Sequence, residues 1–369
     1  MTIAHPDHLL PAGTRIALRP DPILWPCPVG GSALAGGPGG FETAELLIRE
    51  AGKPADPARL RAPLATIRHW AAGQSPAVSD AITAALDRLS APRPPFAGIA
   101  KPRPLIMGIV NVTPDSFSDG GDHADPAAAI ARGRALIAAG ADLLDIGGES
   151  TRPGSDPVPE AAELARVLPV IEGLAGQGVA LSIDTSKAGV MERAVAAGAT
   201  IINDVRALTA EPRALAVAAA SGAWIVLMHC QGEPKTMQQS PRYDHVTLDI
   251  LDYLAGRIAA CEAMGIPRAR IAVDPGIGFG KTLGHNLEIL RHLALYQSLG
   301  CPLLLGVSRK MFISRLGGAA APKARLPGSL AAALAGLDAG ADMLRVHDVA
   351  ETLQAVALWR ALHGIALPR

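Results

Sequence analysis

Ala138-Ala139-Gly140-Ala141-Asp142-Leu143-Leu144-Asp145-Ile146-Gly147-Gly148 passes from an alanine-rich helical stretch, through a glycine, into a short apolar run with one acid inside it. The same change of pattern recurs at Gly198-Ala199-Thr200, Gly222-Ala223-Trp224 and Gly340-Ala341-Asp342, each ahead of an apolar pair or run. Glycine there can end a helix in the left-handed conformation and return the chain to a strand. Outward from this echo, the chain after residue 104 alternates short β-branched or leucine-rich runs with polar residues and alanine-rich helical stretches. The runs are Leu105–Val110, Leu143–Ile146, Ala180–Ile183, Thr200–Ile202, Trp224–Met228, Ile271–Val273, Leu303–Val307 and Met343–Val346. Eight such units in residues 104–369 predict an α/β fold, a (β/α)8 barrel of the TIM type, whose usual length is about 250 residues. An open doubly wound sheet shares the alternation, and the number eight tips the choice.

Composition sets the front of the chain apart. Of 31 prolines in 369 residues, 14 fall in residues 1–98. We read residues 1–98 as a separate, mainly helical N-terminal extension of unassigned role, with helices over Glu42–Glu50, Pro57–Trp70 and Val78–Leu89. Ala91–Pro104, with five prolines, reads as the linker to a barrel domain at 104–369. The cluster Gly36-Gly37-Pro38-Gly39-Gly40 follows no predicted strand and precedes no Lys-Ser or Lys-Thr, so it reads as a plain loop rather than a phosphate cradle.

Several function classes are disfavoured by bulk properties. Lys plus Arg equals Asp plus Glu at 34 each, so no long-range field draws the chain to nucleic acid or anionic membrane, and any anion must be held locally. Four widely spaced cysteines without a CxxC pair suit reduced thiols and a cytoplasmic setting. The opening residues lack the cations and apolar run of a signal peptide, and Ala214–Met228 falls short of a membrane span.

Barrels of this kind build their sites at the carboxyl ends of the strands. Nearly every predicted strand delivers a polar group there: Asn111, Asp145, Asp184, Asn203 with Asp204, His229, Asp274, Ser308-Arg309-Lys310, and Arg345 with His347. Two carboxylates and an amide, Asp184, Asp274 and Asn203, suit the donor-and-acceptor edge of a flat nitrogen heterocycle, and Lys310 adds a complementary donor. Arg345 and His347 alternate along the last strand and suit a phosphate or pyrophosphate, while Asn111 could meet a Mg²⁺ carried in by that anion. Such a set stabilises a leaving group, and no Ser-His-Asp or Cys-His nucleophile is evident. Each residue has a plainer reading: Asp184 or Asp274 as a helix cap, Arg345 and His347 as ion-pair partners of Asp342 or Asp348, His229 as a hydrogen-bonded barrel histidine. Asp145, a charge inside an apolar run, should bond to loop backbone or an arginine, and the role of Glu149 stays open. Gly276-Ile277-Gly278-Phe279-Gly280-Lys281-Thr282 imitates a nucleotide P-loop, but Pro275 occupies the place of its first glycine, so it reads as a turn that positions Asp274.

Two long loops carry a resemblance. Met107-Gly108-Ile109-Val110-Asn111-Val112-Thr113-Pro114-Asp115-Ser116-Phe117-Ser118-Asp119-Gly120-Gly121 and Gly147-Gly148-Glu149-Ser150-Thr151-Arg152-Pro153-Gly154 resemble the two signatures of the dihydropteroate synthase family. Ser182-Ile183-Asp184-Thr185, Ile202-Asn203-Asp204-Val205, Asp274 to Lys281, Ser308-Arg309-Lys310 and Arg345 to Val349 extend it through the barrel. The resemblance implies condensation of 6-hydroxymethyl-7,8-dihydropterin diphosphate with 4-aminobenzoate to dihydropteroate and pyrophosphate, in folate synthesis, through ionisation of a C–O bond. It implies a pterin held by Asp184, Asn203, Asp274 and Lys310, with Asn111, Arg345 and His347 serving Mg²⁺ and diphosphate. It places Phe117, Thr151, Arg152, Pro153 and Ser308 on the aminobenzoate side. A homodimer and a sulfonamide target are also what the family implies. A pterin-binding methyltransferase domain should lack both loops, and a catalytically silent pterin-binding protein should lack the diphosphate group, all of which are present. The front segment is the departure from the family pattern.

Overall fold

A computed structural model describes residues 10, 14–50, 57–101, 103–113, 125–150, 154–318 and 321–365 of the chain. The front unit contains β1 (Arg15–Pro20), the short pair β2 (Ser32–Ala33) and β3 (Gly40–Phe41), β4 (Thr43–Arg49), β5 (Ala58–Pro63), α1 (Leu64–Ala72) and α2 (Pro76–Ser90). Strands β1, β4 and β5 form an antiparallel sheet with β4 at its centre. The unit is therefore not mainly helical, and two of the three predicted helices are corrected. Ala44 to Ile48 has helix-forming composition, but all five residues are buried, which suits a central strand flanked on both sides better than a helix with one wet face. Buried Glu45 is paired with Arg19 at 2.8 Å. The segment expected as one helix over Pro57–Trp70 divides at Pro63, whose extended backbone closes β5 and opens α1. The third helix lies within α2, with Pro76 in its first turn. The glycine cluster makes a loop in which a Cβ at Gly39 would lie 2.8 Å from the Trp25 ring, so the glycine lets the indole settle on the backbone.

All eight predicted barrel strands are present. They are β6 (Leu105–Asn111), β7 (Leu143–Gly147), β8 (Ala180–Asp184), β9 (Ile201–Asp204), β10 (Trp224–Met228), β11 (Ile271–Asp274), β12 (Leu304–Leu305) and β13 (Met343–Val346). All are parallel, in the order β11-β10-β9-β8-β7-β6-β13-β12, and a parallel bridge from Val273 to Leu303 joins the two ends. The sheet is closed, which settles the choice between barrel and open sheet. Helices α3 (Pro126–Ala138), α4 (Glu160–Leu174), α5 (Ala188–Ala196), α6 (Ala214–Ser221), α7 (Val246–Ala263), α8 (Leu283–Arg291), α9 (Met311–Gly317), α10 (Leu326–Asp338) and α11 (Val349–Leu362) surround it. Alternate residues of each strand face inward. Leu105, Met107, Leu143, Ile201, Val226, Ala272, Leu304 and Met343 make the apolar layer at the amino-terminal end, and Phe96 of the proline-rich linker joins that cluster. The same alternation carries Asp145, Asp184, Asn203, Asp274 and Arg345 to the inside nearer the carboxyl end.

The front unit is fastened to the barrel's flank. Arg49 meets Asp249 at 3.3 Å, Arg88 Nε donates to the Ser298 carbonyl at 2.8 Å, and Ala17 and Leu47 share the main barrel core. None of these contacts reaches the carboxyl-end mouth.

Candidate active site

Register explains why distant residues meet. Asp145 pairs across the sheet with Ser182, Gly147 with Asp184, and Asp184 with Asn203, so adjoining strands present their polar groups at one level. At the centre lies Arg345. Its Nε donates to Asp145 Oδ2 at 2.6 Å and one terminal nitrogen donates to Asp184 Oδ2 at 2.7 Å. Asn203 Nδ2 donates to the same Asp145 oxygen at 2.9 Å. The arginine expected for Asp145 is thus identified. Arg345 does not pair with Asp342 or Asp348, since Asp348 is taken by Arg309 and Asp342 by Arg93.

Across the mouth, Asp274 Oδ1 accepts from Gly276 N at 2.7 Å, as expected of a turn that positions it. That turn has left-handed Gly276, where a Cβ would collide with the His229 carbonyl at 1.9 Å. Lys310 Nζ donates to the Ile277 carbonyl and stands 4.7 Å from the centre of the Phe279 ring. A side chain at Gly306 would enter the space between Asp274, Lys310 and Arg345, with its Cβ 3.7, 3.8 and 3.9 Å from their atoms. Those three groups therefore border one small volume. His347 Nδ1 is 3.0 Å from Ser308 Oγ, which joins the ends of β12 and β13. Asn111 ends β6, half-buried at the same rim.

Burial governs the charges here. It raises the Asp184 carboxyl to about 7, with Arg345 opposing and Asp145 adding to the rise. It raises Asp274 too, against Lys310 and the Gly276 N–H. Burial lowers Lys310 to about 8, with Asp274 countering. For Arg345 burial acts downward, but the Asp145 and Asp184 carboxylates outweigh it and hold the guanidinium above its ordinary value. The mouth thus combines one permanent cation with a carboxyl and an amine that both titrate near neutrality.

Of the residues named from sequence, Asp184, Asn203, Asp274, Lys310, Ser308, Arg345, His347 and Asn111 reach this mouth. Phe117, Thr151, Arg152 and Pro153 lie outside the described residues. Among the described residues His229 joins no group that could hold a metal. Its Nδ1 is 3.0 Å from Lys281 Nζ and its ring packs edge-on to Tyr253 at 5.0 Å. Glu149 anchors its loop, accepting from Val158 N at 2.8 Å and from Lys187, which also holds buried Glu163 at 2.6 Å. Sequence reasoning missed Lys281, whose ammonium ties the turn after β11 to the end of β10 through the carbonyls of Phe279 at 2.9 Å and His229 at 3.3 Å. Its resemblance to a P-loop lysine concealed that role. It also missed Phe279 beneath Lys310, for which an aromatic in a glycine-rich turn was the available signal.

The pterin binding enzyme family matches residues 107–347. The dihydropteroate synthase of Neisseria meningitidis serogroup C is 50% identical over 268 residues, covering 72% of this chain and 94% of the relative. That of Escherichia coli K12 is 48% identical over 259 residues, covering 70% and 91%. The chain belongs to the dihydropteroate synthase family of pterin binding enzymes. The fold agrees with that family in detail: Xanthomonas albilineans dihydropteroate synthase with 4-aminobenzoic acid superposes with a TM-score of 0.69 at 50% identity, covering 75% of this chain and 99% of that one. The same enzyme in complex with 7,8-dihydropteroate gives 0.67 at 48% identity, with coverages of 75% and 100%. The family match begins at residue 107, so the front sheet-and-helix unit lies outside it.

Proposed function

We propose that this chain condenses 6-hydroxymethyl-7,8-dihydropterin diphosphate with 4-aminobenzoate, forming 7,8-dihydropteroate and pyrophosphate. The observation that carries the reading is the convergence of Asp274, Asn203, Lys310 and Asp184 on one recess with Arg345 at its centre. Asp274 and Asn203 are a directional acceptor and a mixed donor-acceptor for a pterin's amino-pyrimidine edge, and Lys310 donates to its ring carbonyl. Arg345 and His347 take the diphosphate oxygens, since a guanidinium and an imidazole alternating along one strand fit a tetrahedral anion, while Ser308 beside His347 stands on the aminobenzoate side.

Chemistry follows from charge placement. The C–O bond between the pterin methylene and the diphosphate breaks with both electrons on oxygen, and the cationic residues stabilise that leaving anion. The methylene cation spreads into the pterin ring beside the Asp184 and Asp145 carboxylates. The aminobenzoate nitrogen lone pair then forms the C–N bond, and the amine loses its proton to solvent or pyrophosphate. Phe117, Thr151, Arg152 and Pro153 are assigned to the aminobenzoate side on the strength of the matching loop signatures. Asn111, a neutral oxygen donor half-buried at the rim where β6 ends, is the residue that would meet a Mg²⁺ brought in with the diphosphate. When bound, Mg²⁺ supplies charge neutralisation at the leaving group.

Among the described residues no helix is long and apolar enough to cross a membrane. The four free thiols are what favours a cytoplasmic setting. Homodimer formation rests on the family resemblance and is checked by light scattering. The function is tested by incubating purified protein and Mg²⁺ with both substrates and following dihydropteroate by chromatography. Product is expected only with both present, and Arg345→Ala should lower kcat/KM by about a thousandfold or more, as loss of an oxyanion-stabilising donor does. Full turnover in that variant would remove Arg345 from the leaving-group site.

A further inference from the structure

A cavity of about 560 Å³ lies between the front unit and the amino-terminal end of the barrel. Its walls include Leu105 and Met343, which start their strands, so it sits at the opposite end of the barrel from Asp274 and Arg345. The size falls within the range of small-molecule sites, about 300–1,000 Å³. Trp25 and Trp359, edge-to-face at 5.1 Å, and Phe96 supply flat apolar walls, and the backbone of Gly36–Gly39 completes the side nearest the front unit.

Charge on these walls is one-sided. Arg93, Lys101, Arg103 and Arg360 line the cavity with Asp342 as the lone carboxylate among its lining residues. Asp142 answers from the side, but Arg103 grips it through both oxygens at 2.6 and 2.8 Å and Lys101 stands 3.8 Å from it. Arg360 is only 2% exposed, and burial together with the Arg103 charge lowers its guanidinium below the ordinary value. Two donors of lining residues, Trp25 Nε1 and Arg93 Nε, are buried without a hydrogen-bond acceptor, although the terminal nitrogens of Arg93 are held by Gln297 and Asp342. Buried donors of this kind are uncommon in folded proteins, and here they accompany an excess of cations around a space of ligand size.

We propose that this cavity is a second ligand site, distinct from the catalytic mouth, for a small anion carrying a flat apolar ring. The ring lies among Trp25, Phe96 and Trp359, and its carboxylate or sulfonate meets Lys101 and the arginines. An occupant touches the front unit and the barrel at once and therefore strengthens their attachment.

The test uses the full chain and two fluorescent probes of nearly equal shape, anionic 1-anilinonaphthalene-8-sulfonate and neutral N-phenyl-1-naphthylamine. Each is titrated with and without excess pyrophosphate plus 4-aminobenzoate. One saturable sulfonate site per chain is expected, unaffected by those active-site ligands, with the neutral probe bound about tenfold or more weakly. Lys101→Glu, at a half-exposed rim position, and Ala100→Trp, at an exposed lining position, should each weaken the sulfonate by about tenfold or more while kcat/KM of the condensation stays unchanged. Absence of saturable binding, equal affinity for the two probes, displacement by pyrophosphate and 4-aminobenzoate, or unchanged affinity in both variants would each overturn the proposal.

Discussion

Replacing Arg345 with Met keeps much of the side chain's bulk and removes its charge, leaving Asp145 and Asp184 buried without their shared cation. Asp145 is fully buried and Asp184 is 12% exposed at the side chain. Asp145 would retain only the Asn203 amide at 2.9 Å, because its second oxygen has no partner to fall back on. Removing one side of a buried pair costs about 3–5 kcal/mol. The cost should fall with pH. Asp184 already titrates near 7 with Arg345 in place, and without it this carboxyl holds its proton still more tightly in the native state than in the unfolded chain, where an aspartate releases its proton near 4. A raised native value adds stability as pH falls from that value toward the unfolded one. Urea unfolding should therefore show a loss of about 3–5 kcal/mol at pH 8 and about half as much at pH 5. Adding Asp145→Asn to Arg345→Met should recover much of the loss at pH 8, since it removes the stranded charge. A single variant within about 1 kcal/mol of wild type at pH 8, or an equal loss at both pH values, would refute the claim that Arg345 neutralises these two carboxylates.

Four other outcomes are expected. The pH profile of kcat/KM should be bell-shaped, rising through about 7 as Asp184 ionises and falling through about 8 as Lys310 loses its proton; Asp184→Asn should remove the acid limb, measured as initial rates. Lys310→Met should weaken pterin binding by about ten- to a hundredfold in calorimetric titration, through loss of a charged hydrogen bond. Phe96→Ala should lower unfolding free energy by about 3–5 kcal/mol, as expected for emptying an aromatic site against the barrel's inner layer, while KM for both substrates is kept. A sulfonamide should inhibit competitively with 4-aminobenzoate, read from the intercept of double-reciprocal plots.

Strand count and strand ends were legible because both rest on local periodicity. A single parity rule, alternate residues inward, places Asp145, Asp184, Asn203, Asp274 and Arg345 on the same lining as Leu143, Ala180, Ile201, Ala272 and Met343. Which of these groups pair was not legible. Arg345 reaches Asp145 and Asp184, two and three strands away on β7 and β8, rather than its sequence neighbours Asp342 and Asp348, and only the pairing of β13 with β6 brings them near. The front unit misled for a different reason. Thr43–Arg49 is rich in residues that favour helices in isolation, and it becomes a strand because β1 and β5 pair with it from either side. Lys281 escaped notice because its burial, which lowers its ammonium to about 7, depends on the turn after β11 folding back over His229.

The central claim is that one pterin ring and its departing pyrophosphate sit among groups delivered by four different strand ends. A crystal structure of this chain with a pterin and pyrophosphate measures that directly. The ring edge should lie within hydrogen-bond distance of Asp274, Asn203 and Lys310, with the pyrophosphate on Arg345 and His347. A pterin bound elsewhere on the barrel, with these five side chains left untouched, would contradict it.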